Sequence, residues 1–155
     1  MYLTKEEIKN KFYIKERAEN TEVDKGAEKD WLVFQDLENF RYTYALPLVE
    51  FKRVTELKGI KIPEGMDARI IEEHRAYSHF KEGDLYFIKD IAINPFTGEK
   101  YIVYQALYGE AKIWIRPYNM FCEKVEEGRV DNLTGQIYRF EILKTYKYME
   151  SQGSH

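Results

Sequence analysis

Shifted by 70 positions, the sequence aligns with itself: residues 31–71 pair with 101–141 without a gap. Trp31-Leu-Val-Phe-Gln-Asp-Leu meets Tyr101-Ile-Val-Tyr-Gln-Ala-Leu, and identities recur at Val33/Val103, Gln35/Gln105, Leu37/Leu107, Pro47/Pro117, Phe51/Phe121, Glu56/Glu126, Gly65/Gly135 and Arg69/Arg139. Eight identities in 41 positions is several times the roughly 6–7% chance level of ordinary composition. Upstream the offset changes to 74, where Phe-Tyr-Ile-Lys-Glu-Arg-Ala-Glu-Asn (12–20) meets Tyr-Phe-Ile-Lys-Asp-Ile-Ala-Ile-Asn (86–94). The change places four extra residues in a loop of the first copy, where insertions are tolerated cheaply. A repeat of this kind restricts the chain to small similar units. The expected organisation is a degenerate N-terminal β unit (1–72), a C-terminal β unit (73–150) and a tail (151–155) ending in Gly153-Ser154-His155, which resembles an expression-tag remnant.

Within the second unit, Leu85–Ile93 reads as a strand, Asn94-Pro95-Phe96-Thr97-Gly98 as a turn, and Lys100–Tyr108 and Lys112–Arg116 as two strands joined at Gly109-Glu110-Ala111. Pro117 ends the third strand, a helical turn is expected through Phe121 to Val125, and Gln136–Ile142 reads as a last strand. The high share of aromatic residues, 15%, suits strands. The predicted fold is mainly β: two tandem SH3-like small barrels or rolled sheets. Thr4 and Glu7 have capping-box spacing, which predicts a short N-terminal helix.

A three-residue hairpin loop with Tyr108 opposite Lys112 would place Tyr104, Ala106, Tyr108, Lys112, Trp114 and Arg116 on one face, with Ala106 across from Trp114. Val103, Gln105, Leu107, Ile113 and Ile115 then form the other face, matched in the first copy by Val33, Gln35, Leu37, Thr43 and Ala45. The strand identities lie on this second face, which is therefore read as core. The first face has diverged, from Phe34, Asp36, Glu38, Tyr42, Tyr44 and Leu46 in the first copy. It is either a binding face or the seam between copies, with Arg116 paired to Asp36 or Glu38 in the second case.

Tyr77-Ser-His79-Phe80-Lys81, Val103-Tyr-Gln-Ala-Leu-Tyr-Gly109, Trp114-Ile-Arg-Pro117 and Met120-Phe121 together resemble the bacterial family known as domain of unknown function 1653 over residues 77–125. Where that family usually has a His-Ser-Glu-Thr-like turn, this chain has Asn94-Pro95-Phe96-Thr97. The resemblance implies a small β-rich module and no particular activity. It draws attention to His79, Lys81, Tyr104, Gln105, Tyr108, Gly109, Trp114 and Arg116.

Of these, Tyr104, Tyr108 and Trp114 offer rings on which a flat heterocycle stacks, and Arg116 offers a guanidinium that grips a phosphate or carboxylate. Lys112, His79 and Lys81 would add positive charge. Gln105, repeated as Gln35 on the presumed core face, is expected to bond backbone groups inside each barrel, and Gly109 to serve the hairpin turn. Cys122 is the single cysteine, so no intramolecular disulfide and no cysteine zinc cluster can form. Nothing in the sequence around Cys122 would activate it as a nucleophile. No nucleotide-binding P-loop, dinucleotide fingerprint, nucleophile elbow or zinc-protease helix motif occurs, so a non-enzymatic role without a cofactor or metal is expected. The net charge of −3 disfavours unspecific nucleic-acid binding. No apolar run suits a membrane span, and a cytoplasmic location is expected.

Two functions fit this pattern. In the first, the aromatic and arginine face of the second unit holds a small anionic aromatic ligand, such as a nucleotide or nucleotide-derived signal. In the second, the same face binds a protein partner, as an adaptor or inhibitor in a setting such as phage–host conflict. Either leaves a homo-oligomer open.

Overall fold

A computed structural model describes residues 11–56, 61, 63, 67, 69–81 and 83–143. The expected N-terminal helix at Thr4–Glu7 and the tail lie outside the described residues. Eight strands form one sheet: β1 (Phe12–Asn20), β2 (Asp30–Asp36), β3 (Asn39–Pro47), β4 (Ala76–His79), β5 (Leu85–Ile93), β6 (Lys100–Ala106), β7 (Ile113–Pro117) and β8 (Phe140–Ile142). The strand order is β3-β2-β1-β7-β6-β5-β4-β8, and an additional pairing of β3 with β5 closes six of the strands into a barrel. The fold is thus mainly β, as expected.

The expected pair of tandem units does not take the form of two separate barrels. One barrel draws the antiparallel meander β1-β2-β3 from the first half and β5-β6-β7 from the second. Three short strands leave two exposed edges per half. Here each edge is covered by the other half, through the parallel pairs β1–β7 and β3–β5. The register is the same in both halves. Tyr13 faces Gln35 as Phe87 faces Gln105, and Trp31 faces Pro47 as Tyr101 faces Pro117. The ladder slips between Ile14 and Glu16 and again between Ile88 and Asp90, leaving Lys15 and Lys89 as the extra residues.

These bulges place charges at matching points on the two halves. The Lys15 Nζ lies 2.9 Å from Asp90, and the Lys89 Nζ lies 2.5 Å from Glu16. Each half therefore contributes one lysine and one carboxylate to reciprocal ion pairs that cross the barrel. Asn20 ends β1, and Asn94 follows directly on β5. Both are buried, and each side-chain oxygen accepts a backbone N–H two residues on, from Glu22 at 2.7 Å and from Phe96 at 3.0 Å. A buried amide satisfied in this way turns the chain at a fixed point. Pro47 and Pro117, which lack an N–H donor, end β3 and β7. Helical turns follow them, a 3-10 helix at Leu48–Glu56 and an α-helix at Tyr118–Phe121.

The barrel interior is a cluster of Ala18, Trp31, Val33, Ala45, Ala92, Tyr101, Val103 and Ile115. These are four repeat-related pairs, one member from each half. Ala18 faces Trp31 and Ala92 faces Tyr101 across adjacent strands, so small residues make room for large ones. The Trp31 and Tyr101 rings meet at 4.8 Å. The seam between the halves is therefore the odd-numbered face, and the even-numbered face of the second half is not the seam.

The even-numbered faces are also largely buried, each in its own outer cluster. In the first half, Phe12, Leu32, Phe34, Tyr44, Leu46, Phe51 and Val54 pack together. In the second, Ile88, Ile102 and Tyr104 pack against Tyr77, Tyr118, Phe121 and Phe140. The core face ends earlier than expected. Leu107 is 52% exposed and Leu37 38% exposed, because the strands stop at Ala106 and Asp36. The β6–β7 register pairs Tyr104 with Trp114, two residues from the expected Ala106 partner. A slip of two preserves side-chain parity, so the division into faces survives. Gln35 and Gln105 bond to backbone not inside the barrel but at exposed hairpin loops, to Phe40 O and Ala111 O, because the strands end just beyond them.

Candidate functional site

On the outer side of the second half, a cavity of about 290 Å³ is lined by Thr21, His79, Tyr86, Tyr104, Tyr108, Trp114, Arg116 and Phe140. Tyr104, Trp114 and Arg116 arrive on adjacent strands because alternation on β6 and β7 turns even-numbered residues outward. Tyr86 comes from β5 and His79 from β4, while Phe140 comes from β8, which pairs with β4. Thr21 is the contribution of the first half. It follows Asn20, and the Thr21 N–H donates to the Ile115 carbonyl at 3.0 Å, tying the loop to β7.

Five of the seven residues expected in a ligand site line this cavity: Tyr104, Tyr108, Trp114, Arg116 and His79. Lys112 and Lys81 do not. Lys112 pairs with Glu19 at 3.1 Å, its ammonium 4.9 Å from the Trp114 ring centre, and lies on a different groove. Lys81 lies 4.0 Å from Asp131. Tyr86, missed from the sequence, has a signal in the repeat: it stands where the first half has Phe12, and so adds a hydroxyl. Thr21 had no signal, because the parallel β1–β7 pairing that delivers it is invisible in a local pattern.

Arg116 does not pair with Asp36 or Glu38. Its Nε–H donates to the Tyr104 hydroxyl at 3.1 Å and its guanidinium lies 5.2 Å from the Phe140 ring centre. No carboxylate of the described residues forms an ion pair with it. Tyr104 is 2% exposed, and burial raises the pKa of its hydroxyl, which keeps its proton. Because that oxygen accepts from Arg116, its own O–H remains free to donate. The Tyr86 and Tyr108 hydroxyls share a 2.6 Å hydrogen bond, which leaves one of the two protons free as well. The Trp114 indole meets no other aromatic ring among the described residues, and its N–H has no hydrogen-bond partner there.

His79 is held neutral. Burial, followed by the charges of Arg116, Lys81 and Arg139, lowers its pKa to about 4, against a smaller opposing effect of Asp84. The Lys81 N–H donates to His79 Nδ1 at 3.3 Å, which leaves the imidazole proton on Nε2. The lining therefore offers one positive charge and several donors on aromatic walls, while the hydroxyl that the first half contributes, Thr21 Oγ1, is turned to Glu22 at 2.9 Å.

Cys122 lies outside this cavity. Burial raises its thiol pKa, so it is not an activated nucleophile. Among the described residues no cluster of histidine, cysteine and carboxylate groups could hold a metal ion, and no helix is long and apolar enough to cross a membrane.

No curated protein and no solved structure matches the chain. A family model does match, over residues 75–142, and that segment holds every lining residue of the cavity except Thr21. The matching family is described as "Protein of unknown function (DUF1653)", and it is residues 75–142 of the chain that are similar to it.

Proposed function

We propose that this protein is a non-enzymatic binding protein whose second half holds a small anionic aromatic ligand, of the nucleotide or nucleotide-derived class. The observation that carries this reading is Arg116: a guanidinium without a carboxylate partner among the described residues, fixed by Tyr104 inside an aromatic cavity. A cation of this kind is a ready partner for a phosphate or carboxylate, and the Trp114 ring in the cavity wall suits a flat heterocycle. A volume of about 290 Å³ is at the small end of ligand pockets, roughly 300–1,000 Å³, which favours a single ring system.

The first half supports the same reading by contrast. At the positions of Tyr86, Tyr104, Trp114 and Arg116 it has Phe12, Phe34, Tyr44 and Leu46, which fill their own space as core. Matching registers, bulges and crossed ion pairs are what fusion of two copies of one three-stranded unit would leave behind, and we read the chain in that way. In this reading one copy retained a site and the other became a brace for it.

The test is a thermal-shift screen of nucleotides, cyclic nucleotides and aromatic acids against the protein and Arg116→Ala. A ligand present at 100 times its dissociation constant adds about 2.7 kcal/mol to the folded state. Stabilisation of the parent protein and none of the variant is the expected result. A second reading, a protein-interaction module, is favoured by Leu107 and Tyr108, which stand exposed side by side on the β6–β7 hairpin. A panel without a single hit would favour it.

A further inference from the structure

We propose that the pocket selects a planar ligand with one negative charge over one with two, and that Glu22, on the first-half loop, is the residue that sets this limit. The proposal rests on reading the cavity as an anion site and specifies its ligand more closely.

The charges around the cavity lead to it. Arg116 is the only cation of the described lining that is free of a carboxylate. Lys112 is occupied by Glu19 and Lys81 lies near Asp131, while His79 is neutral. The site thus supplies a single positive charge. The loop that follows β1 adds a negative one close by. It is the loop that carries four more residues than its counterpart after β5, and it begins with Thr21 in the cavity wall. The Thr21 hydroxyl donates to Glu22 Oε2 at 2.9 Å, the Glu22 N–H donates to Asn20 Oδ1 at 2.7 Å, and the Glu22 side chain is only 15% exposed. Its carboxylate is therefore pinned behind the wall. Its field reaches the Tyr104 hydroxyl that fixes Arg116, where it helps retain the proton. Its lysine partner, Lys25, lies 3.4 Å away and is 73% exposed, so water screens that pair strongly and it offsets the carboxylate only weakly.

A ligand with one negative charge neutralises Arg116. A second charge finds no free cation among the described residues and meets the field of Glu22 behind the wall, a like-charge juxtaposition of the kind that discriminates between partners. Cyclic phosphodiesters, sulfonates and carboxylates on a flat ring meet this limit. Phosphate monoesters above their second pKa, near 6, do not.

The experiment is isothermal titration calorimetry with the full chain at pH 8, using two probe pairs that keep the ring and change the charge. These are adenosine 3′,5′-cyclic monophosphate against adenosine 5′-monophosphate, and benzenesulfonate against phenyl phosphate. In the parent protein the singly charged member of a pair is expected to bind at least tenfold more tightly. Glu22→Gln keeps an acceptor for Thr21 and is expected to narrow that ratio at least threefold, chiefly by improving the doubly charged member. A parent preference for the doubly charged probes, or a ratio unmoved in Glu22→Gln, overturns the charge limit alone. Failure of all four probes to bind, or binding that persists in Arg116→Ala, overturns the anion site itself.

Discussion

Arg116 and Leu46 occupy equivalent positions in the two halves, at the ends of paired strands facing Ile102 and Leu32. Leu46 is fully buried in an apolar cluster, so Leu46→Ala should cost about 2–5 kcal/mol in chemical denaturation. Arg116 contributes one hydrogen bond at a cavity wall, so Arg116→Ala should cost about 1 kcal/mol while abolishing anion binding. Comparable losses from the two variants would mean that Arg116 is core. Leu107→Ala, at an exposed position, should stay within about 0.5 kcal/mol of the parent. His79 gives a pH signature. Its pKa of about 4 lies below the usual 6.5, so the unfolded chain takes up the proton first. Stability should therefore fall from pH 6.5 toward 4 and be unaffected by His79 above 6.5. An anion beside Arg116 offsets the field of Arg116, Lys81 and Arg139 on the imidazole and raises that pKa. Affinity for a cyclic phosphodiester, whose own charge is constant, should thus rise as the pH falls from 7 to 5. An affinity independent of pH in the parent, or a rise unchanged in His79→Gln, would contradict this.

At the level of elements, the bulges in β1 and β5 are where the halves hold each other. Asp90 is buried, with Lys15 at 2.9 Å and the Thr43 hydroxyl at 3.4 Å as its side-chain partners. Lys15→Met should cost about 1–3 kcal/mol, less than a fully buried pair because the lysine is partly exposed. In a double-mutant cycle with Asp90→Asn the losses should not add, and additive losses would dissolve the pair as a structural unit. Much of this level was legible beforehand. Val33, Ala45, Val103 and Ile115 repeat with the period of a strand, and Asn94, Pro117 and the glycine-bearing loop mark where strands turn. Two things were hidden. Lys15 and Lys89 give no sign of a bulge, since the register slip is a property of a pair of strands. Leu37 and Leu107 look like core because hydrophobicity and repetition both favour it, yet the ladder ends one residue before them. Their exposure is decided by hairpin geometry.

For the whole molecule, the decisive fact is that two meanders which look like separate units in sequence close a single barrel. Local pattern reveals strands and their faces, whereas the parallel pairs β1–β7 and β3–β5 join segments many residues apart, and nothing in either segment announces its partner. For the same reason Tyr104, Tyr108, Trp114 and Arg116 were legible as one face of one hairpin, and His79 through the family resemblance, while Thr21 was not. A barrel whose interior interleaves Ala18, Trp31, Val33 and Ala45 with Ala92, Tyr101, Val103 and Ile115 should unfold as one cooperative unit. Coincident denaturation curves from Trp31→Phe and Trp114→Phe variants, each leaving one fluorescent reporter, are the expected outcome, and two separated transitions would restore the picture of independent units. The proposed site is built on the second half and completed by the first. Its most direct measurement is a nitrogen–proton correlation NMR titration with adenosine 3′,5′-cyclic monophosphate and benzenesulfonate, following the Trp114 indole N–H and the Thr21 amide. Both signals are expected to move together at a common dissociation constant in the parent protein and to stay still in Arg116→Ala. Still signals in the parent protein, or shifts that survive the loss of Arg116, would contradict the account.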